Sequence, residues 1–383
     1  WLIQNLPPIY PTPPSAPWPR PKNAAKRRKT SLYPPNWGVE KAQNPFVVTM
    51  FTVLVGACGA AVAYALGLPA WVLLGPAVLV SCVAAAGTRM KIADPLRDIC
   101  FIILGLGIGS GFDPDASDAL LRWPVAFAVL PVMLVATMSL SRFALVRGFG
   151  FDRRSASLAA APGHLSYVTA LATESNVDVV RVTVVQAIRL LCLTVSVPFI
   201  ARGIGYEFDT MVMSDAPAMH TPVLAVLALL SCGVAFVFQR LSFPAPVLLA
   251  AMVVSSAGHA TDVTPGSVPQ YLMTPALMVL GTLIGTRFAG LSRDVLRSSL
   301  LAGLCMTFIS VSIATVAALP VARVLGIPLV HVLTAFAPGG LETMVALGAV
   351  IGASPGFVAA CHVTRLLILV VLIPLYLGRR PNV

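Results

Sequence analysis

Apolar runs separated by short polar links fill the chain from residue 46 almost to its end. Each half holds six runs, and the longer ones exceed 20 residues, which is enough for a helix to cross a bilayer. The runs are 46–66, 70–87, 99–111, 123–146, 155–173, 178–201, 222–239, 244–258, 272–286, 298–319, 329–350 and 356–378. The pattern predicts an all-α polytopic membrane protein.

A repeat underlies this pattern, because the stretch that begins at Ala161 recurs 176 residues later, at Ala337. Without a gap, 13 of 42 residues are identical. Both copies begin Ala-Pro-Gly, and in both an arginine stands 26 residues after that glycine, inside an apolar run. A shared Pro-Gly and a shared arginine carry more weight than shared Leu in so apolar a chain. We therefore predict an internal duplication, with Arg189 matched to Arg365.

The basic residues of the links predict that the two copies insert in opposite orientations. The link after the second run carries Arg89, Lys91 and Arg97 in the first half, whereas its counterpart, 259–270, carries neither Lys nor Arg. From link to link, the richer copy alternates. Because short cytoplasmic links are the ones rich in Lys and Arg, this alternation predicts two inverted repeats.

Inversion requires an odd number of crossings per copy, so one of the six runs must not cross. The Pro-Gly of the fifth run predicts a broken or re-entrant helix there, and the short, glycine-rich third run is the alternative. The expected architecture is about five transmembrane helices plus one broken helix per repeat, with both termini cytoplasmic.

Composition agrees with a membrane protein. Of 383 residues, 57% are apolar and 11% are charged, whereas soluble domains carry about 25% charge. The net charge is +11, and the Pro-rich segment 1–45 carries six of these charges, which predicts a disordered basic cytosolic tail. The basic balance favours contact with anionic lipid over nucleic-acid binding. The predicted domains are the tail 1–45, repeat 1 at 46–202, a linker at 203–221 and repeat 2 at 222–380.

Arg189 and Arg365 are the first candidates for a binding site. An arginine at the middle of a bilayer costs at least about 2.5–3.5 kcal/mol, so it normally faces a cavity or a partner. Its planar set of donors suits a carboxylate or a phosphate. The alternative role is structural: each arginine would tie the exposed carbonyls of the broken helix in the other repeat.

Gln186 and His362 stand three residues before the arginines, on the same helical face. They are expected to extend the arginine pair into a symmetric polar cluster, or else to be packing residues with one hydrogen bond each.

The two Pro-Gly segments are Pro162-Gly163-His164 and Pro338-Gly339-Gly340. Each would open a half-helix whose first N–H groups lack partners and suit an anionic ligand. Glu342 follows the second segment and is expected to neutralise an arginine, to bind a coupling proton or to cap its own helix.

Signals for an enzyme are absent from the sequence. The seven cysteines form no C-x-x-C pair, the five histidines are dispersed, and there is neither a P-loop lysine motif nor an H-E-x-x-H motif. Gly105/Gly109 and Gly281/Gly285 have the spacing of helix-packing faces rather than of a dinucleotide loop. We expect no enzymatic activity, no cofactor and no metal.

The Pro-Gly-Gly/His-Leu motif followed by an intramembrane arginine resembles the bacterial AbrB-duplication membrane family, also labelled ammonia monooxygenase. The resemblance covers about residues 46–380 and is most specific at 334–367. His164 and Tyr167 depart from the motif in the first copy, and Asp178 matches a family position where the second copy has Ser354. The resemblance implies a location in the bacterial inner membrane, a two-copy architecture and a loose association with regulation of gene expression.

These features favour a secondary transporter or permease for a small anionic metabolite, with its site at the repeat interface. Coupling to protons, through Glu342 or His362, or to sodium is expected, and a homo-oligomer is left open. A membrane sensor that detects the same ligand without moving it is the alternative. A membrane monooxygenase ranks third, because it needs a cluster of metal ligands that the sequence lacks.

Overall fold

The computed structural model describes residues 44–111, 123–162, 168, 171–172, 177–205, 217–261 and 263–377. Within these ranges the chain forms thirteen α-helices and no strand beyond one isolated bridge. The helices are α1 Pro45–Ala65, α2 Trp71–Ala85, α3 Asp94–Gly109, α4 Trp123–Phe149, α5 Arg153–Ala160, α6 Val179–Gly203, α7 Thr221–Arg240, α8 Pro246–Ala260, α9 Gln270–Thr286, α10 Arg293–Leu325, α11 Leu329–Phe336, α12 Leu341–Val350 and α13 Pro355–Leu377. The predicted all-α fold class is confirmed.

Six described helices are long and apolar enough to cross a membrane: α1, α4, α6, α7, α10 and α13. They come from the first, fourth and sixth runs of each half, so the chain is a multi-pass, membrane-type helical protein. The second-run helices, α2 and α8, have only 15 residues each, or about 22 Å of helix. The number of crossings and the cytoplasmic position of the termini stay predictions.

The fifth run of the second half is broken, as predicted. Helix α11 ends at Phe336 and α12 begins at Leu341, and the segment Ala337–Gly340 lies between them. Proline has no N–H to donate and disfavours a helical conformation in the preceding residue, so the break falls where Pro338 stands. In the first half, α5 ends at Ala160, two residues before Pro162. Gly163 and His164 lie outside the described residues.

Helices of the first half pack against helices of the second half in matching pairs. Helix α3 of the first half lies on α8 of the second, and α9 lies on α2. Likewise α4 packs on α13, and α10 packs on α6. A two-fold relation between equivalent copies produces such paired contacts. Their opposite insertion into a membrane stays a prediction.

Glycines allow the closest of these contacts. A Cβ atom on Gly105 would lie 2.5 Å from the carbonyl oxygen of Leu248 in α8. A Cβ atom on the equivalent Gly281 would overlap the carbonyl oxygen of Leu73 in α2. Gly109 and Gly285 meet α8 and α2 in the same way one turn later, so the predicted glycine packing faces are confirmed.

Candidate functional site

Arg365 closes the break in the second repeat. Its Nη1 donates to the carbonyl oxygen of Ala337 at 2.8 Å, and its Nη2 donates to that of Gly339 at 3.0 Å. The side chain is only 2% exposed, and it belongs to the middle of a long apolar helix, α13. The break leaves these carbonyls without helical partners, and a guanidinium supplies several donors at once.

Arg189 binds the equivalent carbonyl in the first repeat, where its Nη2 donates to the carbonyl oxygen of Ala161 at 3.3 Å, just after the end of α5. The prediction that each arginine would tie the broken helix of the other repeat is therefore wrong, because both bind their own. The physical reason is the chain path: α13 packs against α11 and α12, and α6 packs against α5. The arginine that stands 26 residues after each Pro-Gly glycine therefore lies beside the Pro-Gly segment of its own repeat.

Gln186 and His362 take equivalent places in the two networks. Gln186 Nε2 donates to the carbonyl oxygen of Leu158 at 2.9 Å, and His362 Nε2 donates to that of Thr334 at 3.4 Å. Each also accepts a hydrogen bond from its arginine, at Oε1 of Gln186 (3.3 Å) and at Nδ1 of His362 (2.9 Å). A guanidinium only donates and a carbonyl only accepts, so this geometry fixes His362 as the neutral tautomer with hydrogen on Nε2.

Asp152 fixes the start of α5, the helix that leads to the first break. Its carboxylate accepts from the backbone N–H groups of Arg154 and Ser155 at 3.0 and 2.9 Å. Burial acts to raise the pKa of this carboxyl, but the hydrogen bonds together outweigh it and hold the pKa below its usual value. The capped helix thereby presents the Ala161 carbonyl to Arg189.

A cavity of about 560 Å³ lies beside the two arginines. Seven of the predicted site residues line it: Gln186, Arg189, Pro338, Gly339, Gly340, Glu342 and Arg365. Pro162 and the fully buried His362 are not part of this lining. The structure therefore brings the arginines of both repeats to one cavity. His362 lies outside the lining of this cavity and accepts a hydrogen bond from Arg365.

Several lining residues were not predicted as site residues. Arg97 had counted only as a charge of a link, and Asp98 and Arg287 were not singled out, but all three line the cavity. The segment Ser242–Val247, which joins α7 to the first residues of α8, also lines it. Its Ala245 has a positive φ of 45°, a strained conformation for a residue other than glycine. The matching Ala70, before α2, has a φ of 48°, and each follows a proline, which is a signal that the sequence carried.

The site has an excess of positive charge and of hydrogen-bond donors. Four arginines and two acidic residues line the cavity. Arg189 is 3% exposed, and among the described residues its Nε and Nη1 have no hydrogen-bond partner; the Nε of Arg365 is in the same state. Helix α12 begins beside the cavity, and its N-terminus has no side-chain cap. Its first backbone N–H groups therefore also lack helical partners. Such a surface suits an anion.

The sequence profile of the family described as "Transition state regulatory protein AbrB" matches residues 71–379. The chain belongs to the AbrB family. "Uncharacterized protein YhjN" of Bacillus subtilis (strain 168) is 26% identical over 294 residues, which cover 71% of this chain and 75% of that protein. "Putative regulator AbrB" of Escherichia coli (strain K12) is 23% identical over 310 residues, or 79% and 87% of the two chains. The AbrB-family resemblance of the sequence is thus confirmed, and neither name states a ligand.

In the described part of this AbrB-family chain, no three His, Cys, Asp or Glu side chains stand together so that they could hold a metal ion.

Proposed function

We propose that this AbrB-family protein is a secondary transporter or permease for a small anionic solute in the bacterial inner membrane, with both termini cytoplasmic. The observation that carries the proposal is the shared cavity, where buried guanidinium groups of both repeats meet beside a broken helix. Many secondary transporters bind their substrates in this setting, at discontinuous helices between inverted repeats. We infer binding and movement of the solute rather than its chemical conversion.

The position of the arginines supports this proposal. Arg189 is the eleventh of the 25 residues of α6, and Arg365 is the eleventh of the 23 residues of α13. Each charge therefore stands near the middle of a helix long enough to span a membrane. Charges at that depth are costly unless they are neutralised, so an anionic solute would stabilise the site when it binds.

Replacing Arg189 by Met tests the function, since it removes the charge and the unpartnered donors while keeping a long side chain. We expect uptake into proteoliposomes to fall at least tenfold, measured with a panel of radiolabelled small carboxylates and inorganic phosphate. Arg297→Met, at an exposed position on α10, is the matched control and should transport like the wild type. Wild-type protein that moves no anion of the panel, or an Arg189→Met variant with unchanged flux, would refute the proposal.

Coupling is assigned to Glu342 rather than to His362. Glu342 lines the cavity, whereas a proton on Nδ1 of His362 would replace the acceptor that Arg365 needs. We expect Glu342→Gln to retain binding but to make uptake insensitive to an imposed pH gradient. Asp294→Asn, at the exposed start of α10, serves as the control. A Glu342→Gln variant that still follows the pH gradient would rule out this carboxyl as the coupling group.

A membrane sensor is the second candidate, and the name of the Escherichia coli relative, "Putative regulator AbrB", favours it. A sensor would use the same donors to hold the anion without releasing it on the other side. Saturable binding that is lost in Arg189→Met, together with zero flux in wild-type proteoliposomes, is the result that would favour sensing over transport.

A further inference from the structure

The walls of the cavity divide into two kinds. One end carries the two guanidinium groups and the glycines of the broken helix. The rest of the lining mixes apolar side chains, among them Phe101, Leu280, Leu283 and Leu366, with the charged Arg97, Asp98 and Arg287. A ligand that joins a carboxylate to hydrocarbon can meet both the guanidinium groups and the apolar side chains, because a polar group against apolar side chains would lose its hydration without a partner.

The cavity also reaches the side of the bundle that faces lipid. Leu367 and Val370 line it, and they are 66% and 53% exposed. Both belong to α13, a helix that is long and apolar enough to span a membrane. Exposed apolar side chains on such a helix face the hydrocarbon of the bilayer. The exposed Phe243 lines the cavity as well, together with two exposed polar residues, Gln239 and Ser242.

We propose that the ligand is an amphiphilic monocarboxylate that enters from the bilayer side, beside Leu367 and Val370. Its carboxylate accepts hydrogen bonds at Arg189 and Arg365, and its alkyl or aryl body lies along Phe101 and Leu283. This inference rests on the proposed function, and it names the class of solute. Beside Gly340, where the Glu342 carboxylate also lies, one monoanion balances that carboxylate and the two guanidinium charges. In the rest of the lining, Arg97 is already paired with Asp98. A cavity of about 560 Å³ is within the range that encloses ligands of drug size.

A series of straight-chain acids from acetate to decanoate tests the proposal by equilibrium dialysis against the full chain in lipid nanodiscs. Each buried methylene contributes a nearly constant increment, so the Kd, referred to the free aqueous acid, should fall about fourfold per carbon until the chain outgrows the cavity. Dicarboxylates should bind more weakly than monocarboxylates of equal length. Empty nanodiscs and the matching alcohols correct for simple partition into lipid.

Two variants test the charged part and the apolar part of the site separately. Arg189→Met should abolish saturable binding of octanoate, whereas Phe101→Ala should leave the Kd of acetate within twofold and weaken octanoate at least tenfold. A Kd independent of chain length, or tighter binding of a dicarboxylate than of its monocarboxylate analogue, would overturn the inference. Chain-length-dependent binding without flux would instead overturn the proposed transport and leave the ligand class standing. Flux of a short dicarboxylate would support the proposed transport and overturn the inferred ligand class.

Discussion

Arg365→Met should be the most destabilising single substitution of a charged residue in the described part of the chain. It removes two charge-assisted hydrogen bonds to carbonyls and a third to His362. Each is worth about 1.5–3 kcal/mol, and the buried carbonyl of Gly339 then loses its donor, whereas that of Ala337 keeps the N–H of Gly339. The gain from no longer burying a charge is several kcal/mol, which is smaller than the sum of these losses. We expect a large drop in the apparent melting temperature in detergent.

Arg189→Met provides the comparison, because the two arginines occupy equivalent positions with unequal bonding. Among the described residues, Arg189 makes two hydrogen bonds, both 3.3 Å long. Its loss should therefore lower the melting temperature much less than the loss of Arg365. Arg365→Lys keeps the charge but not the planar set of donors, and should fall between wild type and Arg365→Met. Equal shifts for Arg189→Met and Arg365→Met would contradict the assignment of Arg365 as the main tether.

Gly281→Leu should prevent the accumulation of folded protein. Even a methyl group at this position would overlap the carbonyl oxygen of Leu73, which is a backbone atom and cannot rotate away. Helices α9 and α2 would have to separate, and with them the reciprocal packing of the two halves. Overpacking by a single group costs about 1–3 kcal/mol, and a whole leucine side chain costs more. The yield of monodisperse protein in size-exclusion chromatography measures the effect.

Gly233→Leu is the matched control for this substitution. Gly233 also lies within a helix, α7, but a Cβ atom there would meet nothing within 4 Å. Leucine is a better helix former than glycine by roughly 0.8 kcal/mol, so the control should be neutral or slightly stabilising. If Gly281→Leu folded as well as Gly233→Leu, close contact at Gly281 would not be holding the halves together.

The fold was predictable wherever one physical signal decides the outcome locally. Apolar length placed the helices to within a few residues, and Pro338 predicted the break because proline disrupts helical hydrogen bonding by itself. The glycine spacing at Gly281 predicted a close contact for the same reason. The partner of that contact was not predictable, since spacing within one helix carries no information on which helix lies opposite.

The site was predictable in its central residues and not in its walls. A buried arginine signals function because its burial is costly without a partner, so Arg189 and Arg365 were found from the apolar runs around them and from the repeat that matches them. Their partners depend on the crossing of neighbouring helices, and here the expectation of contacts to the other repeat was wrong. Arg97 and Arg287 stand at helix ends, where a charge is ordinary, and only the tertiary structure brings them to the cavity.

The bonding around the two breaks bears on how the protein arose. Arg189 and Arg365 each serve carbonyls of their own copy, so one unduplicated unit already had everything required to fold its kinked segment. The cavity, in contrast, needs a guanidinium from each copy. Neither copy alone could line such a cavity, so a half-length ancestor would have needed a second molecule of itself to complete one. Within the present chain, equivalent positions of the two halves hold different residues, as Gln186 and His362 do.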